Sequence, residues 1–255
     1  MTQITAVVLT RNEAHNIVEC LGTLTWADHL VVLDSLSSDN TVDLAKAAGA
    51  TVFEHPFADY ASQRNRALEL ADGDWIFFVD ADERSTPELA LEIRDVVASR
   101  PEVGWWVPRK NYIFGKWIRH TGWSPDYQLR LLKRDRARYD PTRQVHEVVI
   151  LDGMAGHLQN TLIHYNYQTL RQFLVKQRVY TDYEAGMLFS EGVRPKWRNF
   201  ILQPLREFWR RYITWQGYRD GAHGLLLSGL MAYFNCVMYC RLRCLWQQED
   251  HARGE

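Results

Sequence analysis

The 255-residue chain has little cysteine, no charge of one sign in excess and no glycine-rich phosphate loop. Its 4 cysteines, Cys20, Cys236, Cys240 and Cys244, form no CxxC pair and no zinc-ligand spacing. They are too few to staple a small secreted scaffold, so a reducing compartment is expected. The last three are spaced by four and read as small apolar filler on one helical face. Lys and Arg number 30 against 31 Asp and Glu, a formal net charge of −1, which gives a nucleic-acid partner little support. No GxGxxG follows the first apolar run, which disfavours a dinucleotide-dependent dehydrogenase. The turn Thr10–Glu13 has no Gly, where a sugar nucleotidyltransferase would want a Gly-rich loop with a Lys or Arg. The opening MTQITAVVLTRNE has no basic segment leading into an apolar stretch with a small-residue cleavage site, so no signal peptide is expected. Internal repeats and low-complexity linkers are also missing.

What is present is a globular composition, 46% hydrophobic, with strand and helix patterns alternating through the first hundred residues. Ile4–Leu9, Leu30–Leu33, Thr51–Glu54, Trp75–Val79 and Val103–Val107 read as strands. Helical spacing places Ile17, Cys20, Leu21 and Leu24 on one face, then Val42, Leu44, Ala45 and Ala48, with Asp39 as a cap and Gly49 as the stop. Tyr60–Ala71 reads as a third helix. Thr86-Pro87-Glu88 opens a fourth, with Thr as N-cap, Pro in the first turn and Glu at the positive dipole end. This rhythm predicts an α/β fold with a mostly parallel central sheet and helices on both faces. Gln128–Lys133, Val145–Ile150 and Thr161–Tyr165 read as later strands, and the chain turns helical after Gln168.

In such sheets ligands bind beyond the carboxyl ends of the strands. There the sequence puts Thr10-Arg11-Asn12-Glu13, Asp34-Ser35 and Asp80-Ala81-Asp82. Asp80 and Asp82 flank a small residue at the end of an apolar strand. Two carboxylates that close repel, and a divalent cation resolves the conflict. Hard oxygen ligands suit Mg2+ or Mn2+ shared with a diphosphate. A solvated turn in which Asp82 or Glu83 caps the next helix is the plainer alternative. Thr10–Glu13 is expected to begin a helix whose N–H groups face a nucleotide, with Glu13 accepting from a base or ribose. Asp34 can accept from a base N–H, or can hold the Ser35–Ser38 loop. Arg64 is a candidate diphosphate contact. Alternation puts Gln128 and Arg130 on one face, where Arg130 would stabilise a leaving diphosphate. In Val145-His146-Glu147, Glu147 has the chemistry of a general base. Trp105, Trp106, Trp117 and Trp123 either stack on sugar faces or pack in the core.

These motifs in this order, Val7 to Glu13, Asp34-Ser35, Asp74-Trp75 with Asp80 to Glu83, Gln128 to Leu131 and Val145 to Glu147, resemble the family 2 inverting glycosyltransferases. More narrowly they resemble the bacterial lipopolysaccharide-core β-glucosyltransferases. The likeness covers residues 4–170, and the tail more loosely. It implies a GT-A fold, a nucleotide-sugar donor (often UDP) and inversion at the anomeric carbon. It also implies that Asp80 contacts ribose or metal, that Asp82 ligates the metal, and that Thr10, Asn12, Glu13 and Asp34 hold the nucleoside. Glu147 falls where the catalytic base is expected. Ser35 stands where many members carry a second acidic residue, which bears on nucleobase selectivity. The expected layout is a GT-A catalytic domain over residues 1–167, divided into a nucleotide-sugar half (1–107) and an acceptor half (108–167), and a helical extension over 168–255. The alternatives in other classes are the nucleotidyltransferase and a catalytically inactive, nucleotide-binding membrane scaffold.

The helical tail mixes aromatic and basic residues, from Phe173 and Trp209 to Arg206 and Arg211, a composition suited to an anionic membrane surface. Ala222–Cys240 carries no charged residue over 19 positions, the lower limit for a membrane span. Its His223, Ser228, Asn235 and two glycines weaken that reading, and packing on the catalytic domain or in a homodimer is the alternative. The expected partners are therefore a nucleotide-sugar, a glycan or lipid-linked acceptor and the inner face of the cytoplasmic membrane, with the protein cytoplasmic and peripheral.

Overall fold

A computed structural model describes residues 2–141 and 148–254. The chain forms two compact units: Met1–Lys110 with Asp126–His164, and Asn111–Pro125 with Tyr165–Glu255. Residues 111–125 thus fold in the same unit as the C-terminal helices.

The first unit opens with β1 (Ile4–Thr10), α1 (Ile17–Gly22), β2 (His29–Asp34), α2 (Thr41–Ala47), β3 (Thr51–Glu54), α3 (Tyr60–Leu70) and β4 (Trp75–Asp80). It continues with β5 (Glu83–Ser85), α4 (Pro87–Ser99) and β6 (Gly104–Ile113), whose last residues cross into the second unit with β7 (Lys116–Trp117). Then follow β8 (Tyr127–Lys133), β9 (Ala137–Tyr139), β10 (Val149–Leu151), β11 (Ala155–His157) and β12 (Leu162–Tyr167). The second unit adds α5 (Leu170–Ser190), α6 (Asn199–Trp209) and α7 (Ala222–Gly254).

The main sheet runs β3-β2-β1-β4-β8-β6-β12-β5. β3, β2, β1 and β4 are parallel, as the alternating pattern requires, while β8 runs antiparallel to both β4 and β6. β4 shows why its sequence is apolar throughout: Trp75, Phe77 and Val79 enter one core cluster, and Ile76 and Phe78 enter the other. Thr86 caps α4 as its sequence predicts, its hydroxyl accepting from Leu89 N–H at 3.2 Å with Pro87 in the first turn. Asp39 differs from expectation: Asn40 is the cap position of α2, and Asp39 instead accepts from Thr41 and Ala14.

The register aligns the polar strand ends. Thr10 lies opposite Asp34, Leu9 opposite Asp80, and Asp34 opposite Glu54. The carboxyl edge of the parallel strands is therefore where the candidate residues gather.

In the second unit α5 begins with a reciprocal capping box between Thr169 and Gln172. Phe173 joins Ile113, Ile118, Tyr167, Leu227 and Phe234 in one cluster, and Ala185 joins Met238 and Leu242 in another. Buried Asp220 ties residues 116–121 to the start of α7. Its carboxylate accepts from Arg119 N–H, His120 N–H and the Thr121 hydroxyl, and its carbonyl accepts from Lys116 Nζ.

Candidate functional site

Arg130 reaches the site because β8 is not regular. Trp105 pairs with Leu131 and Trp106 with Leu129, which leaves Arg130 as the extra residue of a β-bulge. The bulge interrupts the alternation that was expected to set Gln128 and Arg130 on one face, and Gln128 instead donates to Asp126 at 2.9 Å. The bulge turns the Arg130 guanidinium onto the end of β4. Its Nη1 donates to Asp80 Oδ1 at 3.2 Å, its Nη2 donates to Asp80 Oδ2, and Nη2 also lies 3.4 Å from Glu83 Oε1.

Two more arginines complete the group. Arg64, on α3, donates to Asp80 Oδ1 at 3.3 Å, and its guanidinium lies 5.2 Å from the Phe78 ring centre. Arg109, on β6, donates to Glu83 Oε1 at 3.1 Å and pairs with Asp126 at 2.8 Å. Three guanidinium groups thus face three carboxylates. Partial burial works to raise the Asp80 carboxyl, but Arg130 and Arg64 outweigh it and hold the carboxyl well below the usual range. Burial likewise works to lower Arg130, and Asp80 with Glu83 overcomes it and pushes the guanidinium above its ordinary value. Both side chains stay charged. Glu83 is the linchpin: its side chain is fully buried, and Oε2 accepts the Asp80 backbone N–H at 2.9 Å.

Asp82 stands apart from this cluster. Its carboxylate lies 3.5 Å from His164 Nε2, in a pair whose side chains are 21% and 9% exposed. The strand pairing sets this distance, because β12 runs antiparallel to β5 with His164 opposite Glu83. The carboxylate is a donor that suits Mn2+ or Mg2+ when substrate phosphate and water complete the shell, and the imidazole beside it favours the transition metal, Mn2+, over Mg2+. Among the described residues, no group of three or more His, Cys, Asp or Glu side chains forms a fuller ligand set. Asp80, expected beside Asp82 on the metal, directs both oxygens at arginines.

The nucleoside candidates lie along the same edge. Thr10 is buried, and among the described residues its hydroxyl has no hydrogen-bond partner. Thr10–Glu13 does not begin a helix: α1 starts only at Ile17, and Asn12 takes φ 56°, a left-handed conformation no helix continues through. Asn12 accepts from Ser38 N–H at 2.8 Å and its own N–H donates to Ser37 Oγ at 2.7 Å. Glu13 accepts from Asn16 at 2.8 Å, and its N–H donates to Thr41 Oγ1. Asp34 is fully buried and accepts from Ser37 N–H at 2.6 Å and from Ser37 Oγ at 2.5 Å. These contacts build a shaped loop around the ends of β1 and β2. Gln63, also buried, bridges that loop to β3 by donating to Ser35 Oγ at 3.1 Å beside His55.

Glu147 and its neighbour His146 lie outside the described residues. Of the four tryptophans, Trp105 is buried in the core, Trp106 stacks on His157, Trp117 carries Arg119 over its ring and Trp123 packs on Tyr167. Arg109 and His164 were not singled out by sequence reasoning, Gln63 was given no role, and Glu83 was read only as an alternative helix cap. Only Glu83 had a local signal, an acidic residue continuing Asp80-Ala81-Asp82. His164 is a lone His in a short apolar run, and only the strand pairing reveals what it faces.

The family model described as Glycosyl transferase family 2 matches residues 5–158. A lipopolysaccharide core biosynthesis glycosyltransferase of Rhizobium meliloti, LpsC, is 28% identical over 261 residues, covering 98% of this chain and 93% of that protein. An uncharacterized glycosyltransferase of Rickettsia felis is 27% identical over 266 residues, covering 95% and 90%. Among solved structures, glucosyl-3-phosphoglycerate synthase from Mycobacterium tuberculosis, in complex with Mn2+, uridine diphosphate and glucosyl-3-phosphoglycerate, is similar at a TM-score of 0.47. That likeness has 18% identity and covers 77% of this chain and 82% of the synthase.

Proposed function

The chain belongs to glycosyl transferase family 2, and on that premise we propose that it transfers a hexose from UDP, with inversion and with Mg2+ or Mn2+, to a lipopolysaccharide-core or other lipid-linked hydroxyl. The glycosyltransferase class rests on the family. Supporting the acceptor class is the likeness to LpsC along 98% of the chain. Working at that acceptor would place the protein at the inner face of the cytoplasmic membrane. The observation that carries the site assignment is the Asp82–His164 pair beside the arginine cluster of Asp80 and Glu83.

In this reading the acceptor oxygen forms a bond to the anomeric carbon as the bond from that carbon to the diphosphate oxygen breaks. Glu147 takes the acceptor proton, a role worth roughly 10²–10⁴ in rate. Arg130, whose Nε is buried and unpartnered among the described residues, and Arg64 receive the negative charge that grows on the departing diphosphate. Asp80 acts through them as a positioning residue, holding both guanidinium groups charged and aimed. Asp82 and His164 would hold the metal ion. When bound, that ion would supply further neutralisation of the diphosphate. Thr10 offers its unsatisfied hydroxyl to the nucleoside, and Asn12, Glu13 and Asp34 shape the loop that receives it.

The test is a panel of sugar nucleotides with purified protein, reading release of nucleoside diphosphate in Mg2+, in Mn2+ and after chelation. Metal-dependent release from a UDP-hexose is expected, and Asp82→Ala should reduce it to background. Activity near wild type in that variant would sink the metal assignment. Turnover of no sugar nucleotide at all would sink the donor assignment.

A further inference from the structure

We propose that the outer face of α6 is a monotopic docking surface for an anionic lipid bilayer, an inference that deepens the membrane-peripheral reading above and rests on it. α6 is amphipathic in an unusual sense. Its inner positions, Phe200, Gln203, Pro204, Glu207 and Phe208, are buried or half-buried and include the polar residues. Its outer positions carry a stripe at four-residue spacing: Ile201 is 55% exposed, Leu205 61% and Trp209 62%. Trp197, in the turn leading into the helix, extends the stripe and is 78% exposed, and Leu202 lies beside it. Single exposed apolar residues are ordinary, but a helix whose outer face is more apolar than its inner one marks an interaction surface. From Trp197 to Trp209 the stripe runs about 18 Å at helical rise. A Trp stands at each end, the residue type that favours the bilayer interface.

Charge chooses the occupant. Residues 192–219 hold seven basic side chains and one acid, Glu207. That acid is turned inward, paired with Arg210 and Arg211. The column beside the stripe, one residue on at each turn, is Arg198, Leu202 and Arg206. Long arginine stems can lie along apolar surface while their heads reach anionic headgroups. A second copy of this chain would bring the same cationic column against itself, so the bilayer fits and self-association does not.

α7 has the length and mean hydropathy of a membrane span over Ala222–Ala252, 1.4 across its apolar window. One face of it packs on protein, and 28% of that window is buried. Leu227, Phe234, Met238 and Leu242 are buried in the clusters of the second unit. Trp246 Nε1 donates to Val193 O at 2.7 Å, and Arg241 pairs with Asp182 at 3.0 Å. The inference places a membrane contact on α6, whose outer stripe is exposed along its length.

The experiment is vesicle flotation of the full chain with phosphatidylglycerol and phosphatidylcholine in equal parts, against phosphatidylcholine alone. The wild type should float with the anionic vesicles and stay down with the neutral ones. The double variants Ile201→Asp with Leu205→Asp, and Arg198→Glu with Arg206→Glu, should each weaken partition by at least roughly tenfold. All four positions are exposed, so both variants should keep the wild-type circular dichroism and UDP affinity by calorimetry. Partition of either variant equal to wild type, or no partition of the wild type onto anionic vesicles, overturns the proposal. So does a dimer that sedimentation shows the Ile201/Leu205 variant to dissolve without any loss of vesicle binding. Failure to bind UDP in the wild type would instead count against the donor reading, leaving docking judged by flotation alone.

Discussion

Glu83 decides whether the charge cluster holds together. Its buried carboxylate meets Arg109 and Arg130 and also accepts the Asp80 backbone N–H. Removing one member of a buried ionic group leaves the others uncompensated, which typically costs about 3–5 kcal/mol. Glu83→Gln keeps the volume but not the charge, so urea unfolding should show a loss of about that size. A loss below about 1 kcal/mol would mean solvent already screens the cluster. At this scale Asp80 and Asp82 stood out as candidates, because two carboxylates closing an apolar strand repel unless a cation or solvent relieves them. Their division of labour was not legible. Identity in sequence cannot say that one carboxylate points at arginines and the other at His164, since that depends on strands about 50 and 80 residues away.

Elements read from periodicity alone came through where burial imposes the period. β1 and β4, buried on both faces, and α4, with Thr86 as cap and Leu89, Ile93 and Val96 inward, follow directly from their sequences. Thr86→Ala should cost about 1 kcal/mol by removing the hydroxyl that accepts from Leu89 N–H, and thermal unfolding monitored at the helical signal would measure it. No change would show that the first turn of α4 satisfies its N–H groups elsewhere. β5 and the short β7, β9 and β11 were hidden. β5 is Glu83-Arg84-Ser85, a fully buried strand of polar residues that hydropathy reads as loop. It is tolerated because Arg84 donates to the carbonyls of Ala81 and Glu83 at 2.8 Å and reaches Asn16 and Glu19. The bulge at Arg130 was hidden as well, because alternation counts residues and a bulge adds one.

For the whole molecule, the alternating first half predicted the α/β sheet, the resemblance implied its GT-A type, and the family model matches residues 5–158. The aromatic segment 111–125 defeated periodicity because its partners are remote: buried Asp220 gathers the backbone and side chains of residues 116–121 from 100 positions away. In the proposed reading the acceptor half of the chemistry rests on Glu147, and the donor half on Asp82 with His164. Calorimetric titration of UDP in Mn2+ and in chelator, on the wild type and on His164→Ala, tests the account most directly. The account predicts that Mn2+ strengthens UDP binding to the wild type, and that the variant loses this gain while keeping its metal-free affinity. An equal gain from Mn2+ in both proteins would contradict it.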